Sequence, residues 1–468
     1  MNLLNTLKIV LATILLFLVS CRHPPDYVEM TEFQLESKIP VAQRLEISDF
    51  ILRDHLLVDK LPAKLTIVEA KALVLKAHPD LKAAGQRILR AKAIVDQARA
   101  SYHPSVSLNS SSKHQHDSAL DISGNKTASY ETYSSNLSAQ WLVFDGYARK
   151  YNLLASKYAK QASVSAQQDV QRLLVDAVSQ AYYQTLLASK QMSINLQLKQ
   201  FNDDFYKRTA LKEKAGAATK ADVNNFTVNA NDSHIAYLSA KDSFETAKLI
   251  LAELLGMPGA DTTEFKPELL KLNIKIPELG QAIENAMLHR ADLKVLQAQI
   301  RQASAQTKSA RSEYLPQLLI EGNYGRSSFN ELEFGNDYKS SSLSSVLTWN
   351  LYTGYSTRAL IKQRNAEKKE LLENLHSQWN KIISEIRQQR LSLKTVLEKI
   401  TLQTQSADLS KRIYDDTKKL YDNGAVTITR VNEVLTNFSV AQIRQAVFEI
   451  EALRRKAILD SLQGINSK

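Results

Sequence analysis

The chain has 468 residues, enough for two or three domains of ordinary size. Hydrophobic residues at 44% and charged residues at 23% exclude both a disordered chain and a conventional multi-span helical membrane protein. The net charge of +11 is dispersed as Lys and Arg among Asp and Glu, without the basic tract that follows a phosphate backbone, so nucleic acid is not an expected partner. A single Cys excludes an intrachain disulfide and a Cys-based zinc cluster. Only 13 Gly and 10 Pro interrupt the chain, and the Ala, Leu, Lys, Gln and Ser between them predict long helices.

At the N-terminus Lys8 precedes an apolar run from Ile9 to Val19. The run is too short to span a bilayer as a helix, which takes about 20 residues, and suits the apolar region of a secretory signal. It ends in Leu18-Val19-Ser20-Cys21, which resembles a bacterial lipobox, with the only Cys of the chain at the lipidated position. The expected organisation is a lipoprotein signal peptide over 1–20 and lipidation at Cys21, where several acyl chains give a stable anchor. Arg22 after the Cys favours, by resemblance to known lipoproteins, sorting to the outer membrane. Residues 21–64 read as an extended lead.

An internal repeat organises the rest. Asp80-Leu81-Lys82 and Tyr102-His103-Pro104 match Asp292-Leu293-Lys294 and Tyr314-Leu315-Pro316 at an offset of 212. Downstream, Trp141, Gly146, Gly216, Val223 and Gly256 fall on Trp349, Gly354, Gly424, Val431 and Gly464 at a constant 208. The predicted copies are 65–256 and 276–464, joined by a linker over 257–275 and followed by a tail over 465–468. Residues 147–215 and 355–423 lack Gly and Pro, as do 217–255 and 425–463. Each copy therefore reads as helix, strand pair, a helix of about 69 residues, a Gly turn and a helix of about 39; at 1.5 Å per residue the first is about 100 Å long. Val170, Leu174, Ala177, Ala181, Thr185, Ala188 and Met192 trace a narrow seam, as do Ile382, Ile386, Leu393, Leu397 and Ile400.

Between the Pro of each Tyr-x-Pro motif and the following Trp the period becomes two, predicting strand hairpins over about 105–144 and 317–352. Tyr133, Ser135, Leu137, Ala139, Trp141 and Val143 share one strand face, and Leu343, Ser345, Leu347, Trp349 and Leu351 another. The polar segments 113–128 and 326–340 read as hairpin loops. Such alternation with aromatics at its boundary is the mark of a transmembrane β-strand. Four strands cannot close a barrel, and open edges are not tolerated in lipid, so several chains must share one.

These features in this order, twice, resemble the TolC family of outer-membrane efflux proteins, in its lipoprotein branch, over residues 65–464. The motifs are the two Tyr-x-Pro segments, Phe144-Asp145-Gly146 with Tyr352-Thr353-Gly354, and the turns Gly216 to Val223 and Gly424 to Val431. The resemblance implies a mainly helical chain with a small membrane β-barrel, four strands per chain closing a shared barrel in a homotrimer, and long periplasmic helices forming a tunnel. It implies a passive exit duct of a tripartite efflux or secretion system. The turns at Gly216, Val223, Gly424 and Val431 would dock on a periplasmic adaptor (membrane fusion protein) that joins the channel to an inner-membrane pump. Where relatives carry an acidic residue before the Val of the second turn, this chain has Arg430, while Asp222 fits the first. The rival reading, a non-transporting periplasmic coiled-coil scaffold or adaptor, has no use for strands that alternate toward lipid.

No nucleotide-binding loop, metalloprotease motif or nucleophile elbow is present, and no enzyme activity, cofactor or metal is expected. His114-Gln115-His116-Asp117 lies in a polar loop, where solvated side chains are the rule. Trp141 and Trp349 fit membrane-interface anchors better than a substrate-stacking pair. One pattern comes from comparing the copies. Asp203, Asp204, Lys207 and Arg208 correspond at offset 208 to Lys411, Arg412, Asp415 and Asp416, every sign reversed, and Asp222 corresponds to Arg430. Two readings stand: intrahelical i,i+4 pairs on a solvated face, or bridges between neighbouring helices that close the periplasmic mouth.

Overall fold

The computed structural model describes residues 62–115, 130–268, 274–329 and 339–465, all within the unit Val58–Lys468. The expected signal segment, Cys21, nearly all of the 21–64 lead, His116 and Asp117 lie outside the described residues.

Copy one comprises β1 (Lys64–Leu65), α1 (Ile67–Ala77), α2 (Pro79–Ala100), β2 (Ser105–Gln115), β3 (Tyr130–Asp145), α3 (Ala148–Lys214) and α4 (Lys220–Leu254). Copy two repeats the order as β4 (Lys266–Pro267), α5 (Leu279–His289), α6 (Ala291–Arg311), a 3-10 turn (Ser312–Tyr314), β5 (Gln317–Phe329), β6 (Lys339–Thr348), α7 (Ser356–Asp422) and α8 (Ile428–Leu462). The long helices are 67 residues each and their successors 35 each. They fall short of 69 and 39 because Tyr147, Ala215 and Leu255 serve as caps and residues 217–219 form the turn, with the same loss in copy two. The glycines that end them adopt positive φ in register: Gly216 at 74° with Gly424 at 76°, and Gly256 at 78° with Gly464 at 71°. At both long-helix ends the chain folds back through a Schellman motif, Ala217 N–H donating to the Lys212 carbonyl at 2.7 Å and Ala425 N–H to that of Leu420 at 2.8 Å.

Among the described residues two larger cores form, one per copy, from equivalent positions, beside a small cluster of Ala188, Phe244 and Ala247. Leu174, Val178 and Leu251 of the first correspond to Ile382, Ile386 and Leu459 of the second, while Val74 and Leu81 correspond to Ala286 and Leu293. The seam predicted on α3 is too narrow. Val175, Val178, Ser179 and Tyr182 are also buried, because α3 packs against α1, α2, α4, α6 and α8 at once.

Across the waist of the helices, β1 and β4 pair in parallel and tie the start of one copy to the start of the other. Tyr182 holds this pair: its hydroxyl lies 2.8 Å from the carbonyls of Leu65 and Glu268 and accepts the Glu268 N–H at 3.0 Å. Burial pushes its pKa up to about 12. In copy two the buried Arg290 donates to both carboxylate oxygens of Asp292, at 3.0 and 2.7 Å, and to the Leu462 carbonyl at 3.3 Å. Burial alone would raise Asp292, but the Arg290 guanidinium and the Gln378 amide outweigh it and hold the carboxyl below the usual carboxylate range.

Candidate channel-forming elements

The two hairpins join into one antiparallel sheet of order β2-β3-β5-β6, the copies meeting at β3–β5. Its register sorts side chains into rows. On one face run Val106–Ala139–Gly322–Leu343 and Leu108–Leu137–Tyr324–Ser341, with Trp141, Ile320, Ser345, Leu318 and Leu347 below them. On the other run Ser107–Ser138–Asn323–Ser342 and Asn109–Asn136–Gly325–Ser340, with Gln140–Glu321–Ser344 below and then one apolar row, Leu142–Leu319–Val346. The polar face is knit by its own side chains: Ser107 to Ser138 at 2.7 Å, Ser111 to Ser134 at 2.8 Å, and Gln140 Nε2 donating to Glu321 at 3.3 Å. One face apolar and one hydrophilic is the pattern of a barrel wall between lipid and a wet lumen. Leu343 is 82% exposed and Leu108 70%, which a water-soluble sheet would bury.

The expected hairpin over 317–352 ends early. β6 stops at Thr348, so Trp349 and Leu351 lie beyond it, whereas their counterparts Trp141 and Val143 are within β3. The cause is position: β3 is paired on both sides, but β6 is an edge strand with a single partner. At the other end the strands run further than expected, through Gln115 and Phe329, into segments predicted as loop. His114 is thus a strand residue, 3.2 Å from Glu131. No metal-binding group of His, Cys, Asp and Glu occurs among the described residues.

The strand–helix junctions hold contacts that sequence reading missed. Trp141 donates its indole N–H to the Tyr102 carbonyl at 3.1 Å, and Trp349 does the same to Tyr314 at 3.0 Å. Each Trp therefore ties the end of its hairpin to the Tyr-x-Pro segment that opens it. In copy one the buried Asp145 accepts the N–H and the Nε–H of Arg149, at 2.8 and 3.0 Å. Arg149 also donates to the carbonyls of Ser101 and Val143, at 3.1 and 2.9 Å, and its guanidinium lies over the Tyr102 ring. Copy two replaces the ion pair by hydroxyls, with Thr353 and Thr357 at 3.1 Å and Thr357 donating to Glu313 at 3.1 Å.

At the turns, Thr219 and Asp222 form a capping box. The Asp222 carboxylate accepts the Thr219 N–H at 3.0 Å and its hydroxyl at 2.7 Å, which holds this carboxyl below the usual range. Copy two has no side-chain cap on α8: the Arg430 N–H donates to the Thr427 carbonyl at 3.1 Å, and the Arg430 side chain, with no acceptor to return to the Thr427 N–H, pairs with Glu433 at 2.7 Å. Val431 is fully buried, while Gly216 and Gly424 have open space around them. The sign-reversed residues do not form their expected i,i+4 pairs: Asp203 pairs with Lys199 at 3.1 Å and Asp416 with Lys419 at 3.5 Å. Nor, among the described residues, does an ion pair join Asp203, Asp204, Lys207 or Arg208 to Lys411, Arg412, Asp415 or Asp416 within the chain. What links α3 to α7 near the turns is aromatic. Phe201 meets Tyr414 and Phe205 meets Tyr421, with ring centroids 6.2 and 6.0 Å apart, and Lys212 Nζ lies 3.4 Å from the Tyr421 hydroxyl.

No described helix is long and apolar enough to cross a membrane. A two-faced partial barrel wall carried on helices about 100 Å long defines an outer-membrane channel protein. The profile of the family described as outer membrane efflux protein matches residues 72–257 and 282–464, and the chain belongs to that family. It is 27% identical over 305 residues to protein CyaE of Bordetella pertussis, a match covering 65% of this chain and, at 64%, just under two thirds of that relative. It is 24% identical over 402 residues to the pyoverdine export outer membrane protein OpmQ of Pseudomonas putida, covering 82% of this chain and 83% of OpmQ. Among solved structures, the CmeC outer membrane channel of Campylobacter jejuni superimposes with a TM-score of 0.74 at 18% identity, covering 85% of each chain. The outer-membrane channel OprN gives 0.73 at 18% identity, over 85% of this chain and 89% of OprN.

Proposed function

We propose that this protein is the passive exit duct of a tripartite efflux or secretion system, three copies closing one barrel in the outer membrane and one helical tunnel in the periplasm. The observation that carries this reading is the four-stranded sheet with an apolar face and two unpaired edges, β2 and β6. Such edges are untenable in lipid, and three sheets pairing edge to edge remove them all. Energy comes from partners: an inner-membrane pump, coupled through a periplasmic adaptor that docks on the turns at Gly216–Val223 and Gly424–Val431. The scaffold reading has no place for this sheet. Purified protein in planar bilayers should give discrete single-channel conductance steps; a preparation that inserts and never conducts overturns the duct.

The sign-reversed charges then act between chains. In a ring of alternating copies, neighbouring helices present Asp203, Asp204, Lys207 and Arg208 opposite in sign to Lys411, Arg412, Asp415 and Asp416 at equal height, with Asp222 and Arg430 at the turns below. Each exposed bridge is weak, but threefold repetition lets the sum bias a two-state gate. Asp415→Lys with Asp416→Lys should raise conductance by setting like charges against Lys207 and Arg208. Adding Lys207→Asp and Arg208→Asp should restore the wild-type level; a quadruple variant as leaky as the double excludes the bridges. The lipid anchor is tested separately. Cys21→Ser should abolish incorporation of labelled palmitate while the helical content is unchanged, and persistent labelling would end the lipobox reading.

A further inference from the structure

We propose that a collar of basic residues at the strand–helix junctions binds anionic phospholipids of the membrane leaflet on the helix side. The inference rests on the duct reading, which puts these junctions at a membrane surface. One arrangement recurs at all four junctions of the chain. Tyr102 follows Arg99 by three residues and Tyr314 so follows Arg311, while Tyr147 precedes Lys150 by three and Tyr355 so precedes Arg358. All of these side chains are exposed. Each Tyr stands next to the sheet, and each cation lies about 5 Å farther along a helix. Trp141 and Trp349, bound to the Tyr102 and Tyr314 carbonyls, mark the same level at the ends of the hairpins. Exposed Tyr and Trp with a cation one turn beyond suit a membrane interface and the phosphates of its headgroups.

Local electrostatics does not account for the cations. The helix dipole favours Arg99 and Arg311 in the last turns of α2 and α6. It opposes Lys150 and Arg358 in the first turns of α3 and α7, which carry no acidic residue. Of the four, among the described residues, only Arg99 has an ion-pair partner, Asp96 at 3.1 Å. Copy two puts a further exposed cation, Lys308, where copy one has that acid. Nearby carboxylates are engaged: Asp145 is buried against Arg149, and Glu313 accepts the Thr357 hydroxyl. Lys150 Nζ lies over the Tyr147 ring, 5.7 Å from its centroid, so cation and aromatic share one side of the helix. That side is the outer one. Positions 150, 157, 164, 171 and 178 follow one heptad line along α3, and Val178 packs in the core with Ala70 and Val74 of α1. Arg358 and Ile386 repeat the relation on α7, where α5 contributes Ala282 and Ala286. An open bore has no room for α1 and α5, so these lines face away from it.

The full-length protein, delipidated in detergent, should be titrated by native mass spectrometry with phosphatidylglycerol, with phosphatidylcholine and with inorganic phosphate. The expected result is retention of phosphatidylglycerol about tenfold or more above phosphatidylcholine, with free phosphate weaker than phosphatidylglycerol. In Lys150→Gln/Arg358→Gln that preference should fall about tenfold. Lys241→Gln/Lys394→Gln removes as many exposed cations from other parts of α4 and α7 and should leave the preference at the wild-type level. No preference in the wild type, an unchanged preference in the first double variant, or an equal loss in the second overturns the collar. Free phosphate retained as well as phosphatidylglycerol overturns the lipid as its ligand. Conductance in planar bilayers separates the two failures: wild-type protein that conducts but shows no lipid preference refutes the collar alone, and wild-type protein that never conducts refutes the duct.

Discussion

Asp145→Ala lowers the unfolding free energy by about 3–5 kcal/mol, the cost of leaving one member of a buried ion pair without its partner. Asp145 and Arg149 are only 7% and 11% exposed, so water cannot take over the role of the lost carboxylate. The loss also uncaps the start of α3, where the Asp145 carboxylate accepts the Arg149 N–H. Arg149 would keep its contacts to the Ser101 and Val143 carbonyls, and these hold the guanidinium in its largely buried place beside Tyr102. Substituting both residues, as Asp145→Leu with Arg149→Met, should therefore destabilise less than Asp145→Ala alone. In copy two, Thr353→Val removes only a hydroxyl contact and should cost about 1 kcal/mol. Denaturant unfolding of the detergent-extracted protein, followed by loss of helical circular dichroism, compares all three.

Gly146→Ala should be more damaging than Gly354→Ala, although the two positions are equivalent in the repeat. Both glycines have left-handed backbones, φ 63° and 61°, and each is followed by a Tyr also at positive φ. Both substitutions thus meet the left-handed penalty of about 1–2 kcal/mol. A Cβ on Gly146, however, would lie 2.6 Å from the Ser312 carbonyl oxygen and 2.7 Å from Leu315 Cβ, while one on Gly354 meets nothing within 4 Å. The collision adds about 1–3 kcal/mol, and it falls where the two copies touch, at the turn that opens β5. The same unfolding measurement should find Gly146→Ala below Gly354→Ala by that margin; equal values would mean that the junction yields without cost.

The difference between these glycines could not be read from the sequence, which presents them as copies. Repeat offsets, breaker spacing and the switch from helical to strand period reveal the order of elements, because each reflects a local constraint on the backbone. They led to helices right to within a few residues and to both hairpins. Contacts between segments distant in sequence leave no such local trace. Tyr182, whose hydroxyl holds β1 to β4, falls outside the predicted seam altogether, and Trp141 reads as an interface anchor although its N–H is bound to Tyr102. Asp222 and Arg430 read as a charge reversal, whereas the local consequence is a capping box in one copy and none in the other. The end of β6 at Thr348 was hidden for another reason: alternation continues through Leu351, and only the unpaired edge stops the strand.

Whether three chains complete the sheet is decided by the mass of the protein extracted from membranes in mild detergent, measured by native mass spectrometry or light scattering with detergent correction. Edge pairing of β2 with β6 predicts three times the mass of the mature chain, with strand content unchanged from that of the sheet described here. A stable monomer that retains all four strands would contradict it, because its open edges would then persist in a medium that offers their N–H and carbonyl groups no partner.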